Sequence, residues 1–209
     1  MKRFLVIGNP ISHSLSPKLH NYWFEKNNIY AQYEKKNLEE HELAEVIESL
    51  RNDELAGINV TTPFKQKIIK YLDELTEESN DTNSVNTVFK KNRKIVGHNT
   101  DIAGFELAIR KTKFELSNKK ALILGSGGVV SSIIYALKKL DVSEIFLMNR
   151  TIENTKRIKE KFKYIKVIKW GEKYDFDLIV NATSVGLKES DKLEIDYKSF
   201  GINKLFFDL

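Results

Sequence analysis

No cysteine occurs among the 209 residues of the chain. That excludes a disulfide framework, a thiolate zinc site and a cysteine nucleophile, and it suits a reducing, cytoplasmic setting. Proline is nearly as scarce, with three residues, Pro10, Pro17 and Pro63, all in the first third. No apolar run approaches the length that spans a bilayer. The start, Met1 to Gly8, is basic and then apolar, but its apolar part is too short for a signal peptide and reads as a first buried strand. Neither sign of charge dominates: 34 basic and 29 acidic side chains leave a net +5. Residues 1–102 hold 14 basic and 15 acidic groups and residues 103–209 hold 20 and 14, so the positive excess belongs to the second half. The lysines lie along polar helix faces without interleaved aromatics, which disfavours nucleic acid and leaves a phosphorylated small molecule or plain solubility as the reading of the excess. A hydrophobic share of 41% with 30% charged residues excludes a disordered or collagen-like chain.

What is present alternates strand and helix signals throughout, the pattern of an α/β protein. In the first half, Phe4–Ile7, Tyr30–Lys36 and Gly57–Thr61 read as strands. Ser16, as N-cap with Pro17 following, opens a helix with Leu19, Tyr22, Trp23 and Phe24 on its apolar face. Glu39–Leu50 and Lys65–Leu72 read as helices, and Val85–Phe89 and Lys94–Gly97 as a hairpin. Asp101 is expected to cap a helix from about Ile102 to Thr112 that acts as hinge, which places the domains at 1–101 and 102–209. In the second half, the apolar run Ala121–Leu124 marks a central parallel strand. A glycine turn follows, then a helix over Val129–Leu140, a strand over Glu144–Met148, a helix over Thr151–Phe162, and strands at Lys166–Ile168 and Asp177–Val180. This is a doubly wound, Rossmann-like series.

Two groups of residues carry chemistry. The strand ending in Gly125-Ser126-Gly127-Gly128 with a helix opening at once is a dinucleotide fingerprint in context, although Val130 stands where a third small residue is usual. The next strand ends in Asn149-Arg150-Thr151 without an acid, and an arginine there suits a 2′-phosphate, which points to NADP. Asn181-Ala182-Thr183-Ser184-Val185-Gly186 sits at a third strand end, where small and hydroxylated residues suit the nicotinamide half. In the first half, Gly8–Pro17 offers Ser14 and Ser16 beside a helix start, a fit for a carboxylate, whereas His13 reads as structural. Asn59–Lys65 follows a strand. Lys65 is expected at a helix N-terminus, either as an exposed helix-start lysine or as an active-site cation, in which case its place against the dipole favours acid–base work near neutral pH. Asn86-Thr87 and Asn99-Thr100-Asp101 add polar clusters at further strand ends.

Together these strings resemble the shikimate dehydrogenase family: GNPISHSLSP at 8–17, NVTTPFK at 59–65, SVNT at 84–87, NTD at 99–101, GSGGV at 125–129, NRT at 149–151 and NATSVG at 181–186, in family order across the whole chain. The resemblance implies an N-terminal substrate domain, a Rossmann-like NADP domain, and reduction of 3-dehydroshikimate to shikimate in aromatic amino-acid synthesis, by a cytoplasmic monomer or homodimer without a metal, a membrane or a nucleic-acid partner. It implies Lys65 and Asp101 as the catalytic pair, with Asp101 holding both substrate hydroxyls and the lysine. Ser14 and Ser16 are implied on the substrate carboxylate, with Asn59, Thr61 and Asn86 on its hydroxyls. Gly125, Ser126, Gly127, Gly128, Val129, Asn149, Arg150, Thr151, Ala182, Thr183 and Ser184 are implied on the cofactor. Ile102 replaces the family's glycine, where a bulkier residue is expected to shift the hinge helix or narrow the cleft. Asn154 replaces a basic residue, with Lys156 and Arg157 near it. Family members continue beyond the position of Leu209, so the chain is expected to lack a C-terminal segment. A quinate or aminoshikimate dehydrogenase, or a shortened non-catalytic ligand-binding protein, are the alternatives.

Overall fold

The structure, a computed structural model, describes residues 1–172, 174–186, 191–192 and 202–209. It divides into two compact units, Met1–Thr100 and Asp101–Leu209.

In the first unit, β1 (Lys2–Gly8) pairs in parallel with both β2 (Ala31–Asn37) and β3 (Gly57–Val60). The hairpin of β5 (Thr87–Lys91) and β6 (Lys94–His98) extends this sheet antiparallel to β3. The short β4 (Glu74–Leu75) closes it, giving the order β2-β1-β3-β5-β6-β4. One face is filled by α2 (Leu43–Arg51), whose Leu43, Val46, Ile47 and Leu50 are buried at helical spacing against Leu5, Ile7, Ile58, Val60 and Val88. On the other face Val6, Ile11 and Tyr33 form a smaller cluster, with Phe4 and Phe24 packed against it.

The second unit is a parallel sheet ordered β11-β10-β7-β8-β9, from β7 (Lys120–Leu124), β8 (Glu144–Met148), β9 (Lys166–Ile168), β10 (Leu178–Asn181) and β11 (Leu205–Asp208). Alternate residues of these strands point to opposite faces. Ala121, Ile123, Ile145, Leu147, Leu178 and Val180 meet α4 (Asp101–Thr112) and α5 (Val130–Lys139), whereas Leu122, Leu124, Phe146, Met148 and Ile179 pack with Phe176 on the other side. Burial on both faces explains the unbroken apolar run that marked β7.

Several elements differ from the sequence reading. The first helix, α1 (Ser16–Lys26), starts at Ser16 itself, with Leu15 at the N-cap and no side-chain cap; Ser14 Oγ instead accepts the Ser16 N–H at 3.3 Å. No residue of α1 is buried, and Leu19, Tyr22 and Trp23 are exposed. The helix expected from Lys65 is a 3-10 segment over Lys67–Tyr71, so Lys65 sits in a turn and the helix-dipole reasoning does not apply to it. The second and sixth helices each begin as a 3-10 turn, at Glu40–Glu42 and Ile152–Thr155, leaving α6 only Lys156–Lys161. β4 and α3 (Glu77–Thr82) carry no periodic apolar signal and were not anticipated. Ile102 is fully buried in the core of the second unit with Phe105 and Ile109.

Asp73 anchors the start of β6, the strand that delivers Asn99 and Thr100. Its carboxylate accepts from the two terminal guanidinium nitrogens of Arg51, at 2.8 and 3.2 Å, and from the Ile95 N–H at 2.6 Å. The Arg51 and Ile95 bonds hold the Asp73 carboxyl below its ordinary value of 3.8. A lowered carboxyl stabilises the fold above its unfolded-state value and loses that contribution as pH falls through the folded value. Asp73→Asn is therefore expected to be less stable than the parent at pH 7 in urea unfolding. The two midpoints should converge below pH 3.8; a gap that persists undiminished in acid would show that the charge is irrelevant.

Candidate active site

The first-unit site grows from backbone pairing that continues beyond the strands. Val6 and Ile7 of β1 lie opposite Asn59 and Val60 of β3. Past the strand ends, the Thr61 N–H donates to Ile7 O at 2.9 Å and the Asn9 N–H to Thr62 O at 3.0 Å. The Val60 N–H donates to Asn86 O at 2.8 Å, the Val85 N–H to Lys65 O at 2.8 Å and the Asn86 N–H to His98 O at 3.1 Å. Segments 8–9, 60–65, 85–87 and 98–100, distant in sequence, are thus stitched side by side. This brings Asn59, Thr61, Lys65 and Asn86 into one neighbourhood. Lys65 is half-buried, with its backbone held between Phe64 and Ile68, both inside the core. The loop from Gly8 leads Ser14 and Ser16, both half-buried, to the start of α1, while His13 is exposed. Asp101 is the first residue of α4, directly after Thr100.

The side chains here are oriented by one another. Asn86 Oδ1 accepts the Thr100 N–H at 2.9 Å and the Thr87 hydroxyl at 3.0 Å, and Asn86 Nδ2 donates to Thr100 Oγ1 at 2.9 Å. Asn59 Nδ2 donates to Asn86 O at 3.2 Å and Thr87 Oγ1 at 3.1 Å, and Asn59 Oδ1 accepts the Tyr33 hydroxyl at 2.6 Å. Asn99, 1% exposed, donates through Nδ2 to Ser84 O at 3.0 Å and Thr82 Oγ1 at 3.2 Å, which braces the turn carrying Asn86. Sequence reasoning missed Tyr33. Its signal was the only inward-facing large side chain of the otherwise polar edge strand AQYEKKN.

In the second unit, the loops after β7, β8 and β10 emerge at the same end of the parallel sheet, where ligands of open α/β sheets bind. The Ala182 N–H donates to Leu124 O at 2.9 Å and the Gly125 N–H to Met148 O at 2.8 Å, which holds the three loops together. Gly125 has φ +106°, and a Cβ there would stand 2.8 Å from Ala182 O, so no larger residue fits. At Gly127 a Cβ would meet only Ala182 O at 3.8 Å. No protein atom demands that glycine, and the bare backbone at the mouth of α5 suits a closely approaching pyrophosphate, so the residues present fit a dinucleotide. Ser126, Gly128 and Val129 complete this turn, while Arg150 and Thr151 are exposed beyond β8, with Asn149 Nδ2 donating to Thr151 O at 2.7 Å. Asn181 organises the third loop: its Nδ2 donates to Val185 O and Asp208 Oδ1, and its Oδ1 accepts the Thr183 N–H and hydroxyl, leaving Ser184 exposed. A pocket of about 300 Å³ opens here, lined by Leu124, Ile179, Asn181, Val185, Phe207 and Asp208 among others. Among the described residues, no cluster of His, Asp and Glu could hold a metal ion, and no helix is long and apolar enough to cross a membrane.

Comparison with known proteins agrees with this geometry. Residues 6–88 match the family model for the shikimate dehydrogenase substrate binding domain, and residues 106–188 match that for shikimate / quinate 5-dehydrogenase. The chain is 54% identical over 208 residues to a protein of Pelagibacter ubique named shikimate dehydrogenase (NADP(+)), covering 100% of this chain and 78% of that one. Its fold is similar to the crystal structure of shikimate dehydrogenase from Aquifex aeolicus, with TM-score 0.91 at 35% identity, covering 100% of this chain and 78% of that one. It is also similar to the Thermus thermophilus shikimate 5-dehydrogenase in complex with NADP(H) and shikimate, with TM-score 0.89 at 29% identity and the same coverage. With its strand-end polar segments, its glycine cradle and matches to both family models and to a relative 54% identical over 208 residues, the chain belongs to the shikimate dehydrogenase family.

Proposed function

We propose that the chain catalyses the NADP-dependent, reversible reduction of 3-dehydroshikimate to shikimate. The observation that carries this reading is the stitched set of strand ends in the first unit, which gathers two amides, a hydroxyl and one cation into a polar site that suits a polyhydroxylated carboxylate. Ser14 and Ser16 at the start of α1 hold the carboxylate. Asn59, Thr61 and Asn86 address the ring hydroxyls, and Asp101 accepts from them. Lys65 and Asp101 are the catalytic groups. Bound NADPH supplies the hydride to the carbonyl carbon. Lys65 Nζ–H donates the proton to the carbonyl oxygen as it becomes the alcohol, and takes it back in the oxidising direction. Gly125–Val129 would hold the cofactor's pyrophosphate, Arg150, flanked by Asn149 and Thr151, its 2′-phosphate, and Ala182, Thr183 and Ser184 its nicotinamide half. Because the match over residues 106–188 also covers quinate enzymes, quinate is the second candidate substrate, and the ratio of kcat/KM for the two acids decides between them. An absence of cysteine suits a cytoplasmic enzyme, acting as a monomer or homodimer with small molecules only, in aromatic amino-acid biosynthesis.

Lys65→Ala is expected to lower kcat for shikimate oxidation by about 10²–10⁴-fold, the usual loss of an acid–base group, with little change in KM. A variant that keeps the parent kcat would remove Lys65 from the mechanism. Arg150→Ala is expected to lower kcat/KM for NADP by roughly ten- to a hundredfold, as for a lost charge-assisted bond, while NAD is unaffected; an unchanged NADP-to-NAD ratio would remove the phosphate role. Gly125→Ala forces a side chain into the left-handed region and against Ala182 O. It should cost about 1–3 kcal/mol in chemical unfolding and weaken NADP more than shikimate; unaltered stability would contradict the cradle.

A further inference from the structure

The orientation of the two amides in the first-unit site is not open to choice. Asn86 O is a carbonyl and can only accept, so the atom of Asn59 facing it at 3.2 Å must be the Nδ2 donor. The Thr100 N–H can only donate, so the atom of Asn86 facing it at 2.9 Å must be Oδ1. Between these fixed ends the polarity of every link follows. The second Asn59 Nδ2 hydrogen goes to Thr87 Oγ1 at 3.1 Å, which turns the Thr87 hydroxyl hydrogen toward Asn86 Oδ1 at 3.0 Å. Asn59 Oδ1 is left to accept, and the group that donates to it is the Tyr33 hydroxyl at 2.6 Å.

Tyr33 is built to be that donor. It is 3% exposed, and burial raises its hydroxyl well above the ordinary tyrosine range, so it stays protonated. Its ring lies in the small cluster of Val6 and Ile11 and stacks on His20, with centroids 4.3 Å apart and planes 5° apart. The backbone on both sides of the ring is held by one amide of α1: the Tyr33 N–H donates to Asn21 Oδ1 and Asn21 Nδ2 donates to Tyr33 O, both at 2.8 Å. The same helix begins at the serines assigned to the substrate carboxylate. Tyr33 therefore couples the carboxylate end of the site, through α1, to its hydroxyl-binding amides, through Asn59 and Thr87.

We propose that Tyr33 is a positioning residue, whose hydroxyl holds the Asn59 amide and, through Thr87, the Asn86 amide in the orientation that receives the substrate hydroxyls; the substrate half of this statement rests on the function proposed above. The hydroxyl donates to Asn59 and leaves direct contact with the ligand to the amides.

Tyr33→Phe deletes one oxygen and keeps the ring, its stacking and both backbone bonds. In the full chain the side-chain amide resonances of Asn59 and Asn86 are expected to move. Shikimate affinity by calorimetry should fall about tenfold, the scale of one well-made hydrogen bond at a rigid site, while NADP affinity stays within about twofold. Thr87→Val, which breaks the next link, should act in the same sense, and Thr87→Ser, which restores the hydroxyl, should return both readouts to the parent. A Tyr33→Phe protein whose amide resonances stay in place, or which binds shikimate as tightly as the parent, would overturn the proposal. So would one that lost thermal stability with shikimate and NADP affinities unchanged. A parent chain that fails to bind shikimate would instead overturn the proposed function, and the amide resonances would still decide the role of Tyr33.

Discussion

The parallel pairing of β1 with β3 is the constraint on which the first unit depends. Its hydrogen bonds do not stop at the strand ends: Thr61 donates back to Ile7, and Asn9 to Thr62. That continuation brings the proline-bearing loop after β1 alongside the proline-bearing turn after β3. A buried ladder cannot leave its donors and acceptors unmatched without a cost of a few kcal/mol each, so the loops follow the strands rather than fraying. The functional side chains are carried on this extension, close enough to the sheet to inherit its rigidity and far enough along to face a ligand.

The second unit solves a similar problem with different means. A sheet buried on both faces leaves only the strand ends for chemistry. The close approach of Ala182 to Gly125 draws the first and third loops together, and this contact exists only because position 125 has no side chain. Asn181 then uses its whole amide to hold the third loop and to reach Asp208 at the end of β11. In both units an asparagine at a strand end, with its two-faced amide, ties the neighbouring loops to the end of the sheet.

Legibility from sequence followed the range of the interaction. The buried runs of β1 and β7, the hairpin and the glycine turn are local signals, and they were read within a residue or two. The Lys65 helix was not: the segment forms a 3-10 turn over Lys67–Tyr71, with Phe64 and Ile68 in the core. α1 was read as amphipathic and is a helix, yet none of its residues is buried. Of the site, the residue types and their strand-end positions were legible. Their mutual orientation was not, since it rests on bonds from Asn86 O, the Thr100 N–H and the Tyr33 hydroxyl, which reaches across β1 from a strand whose sequence is mostly polar.

The sequence by itself determined the α/β alternation, the absence of thiol chemistry, the two strand-end motif sets and the family they resemble, because each rests on residue type and short spacing. The tertiary structure alone decided which of those strand ends adjoin, that Lys65 lies in a turn, that Ile102 belongs to a core, and that Tyr33 sets the Asn59 amide. These are contacts between segments tens of residues apart, and their free energy comes from burial and hydrogen-bond satisfaction that no local pattern encodes.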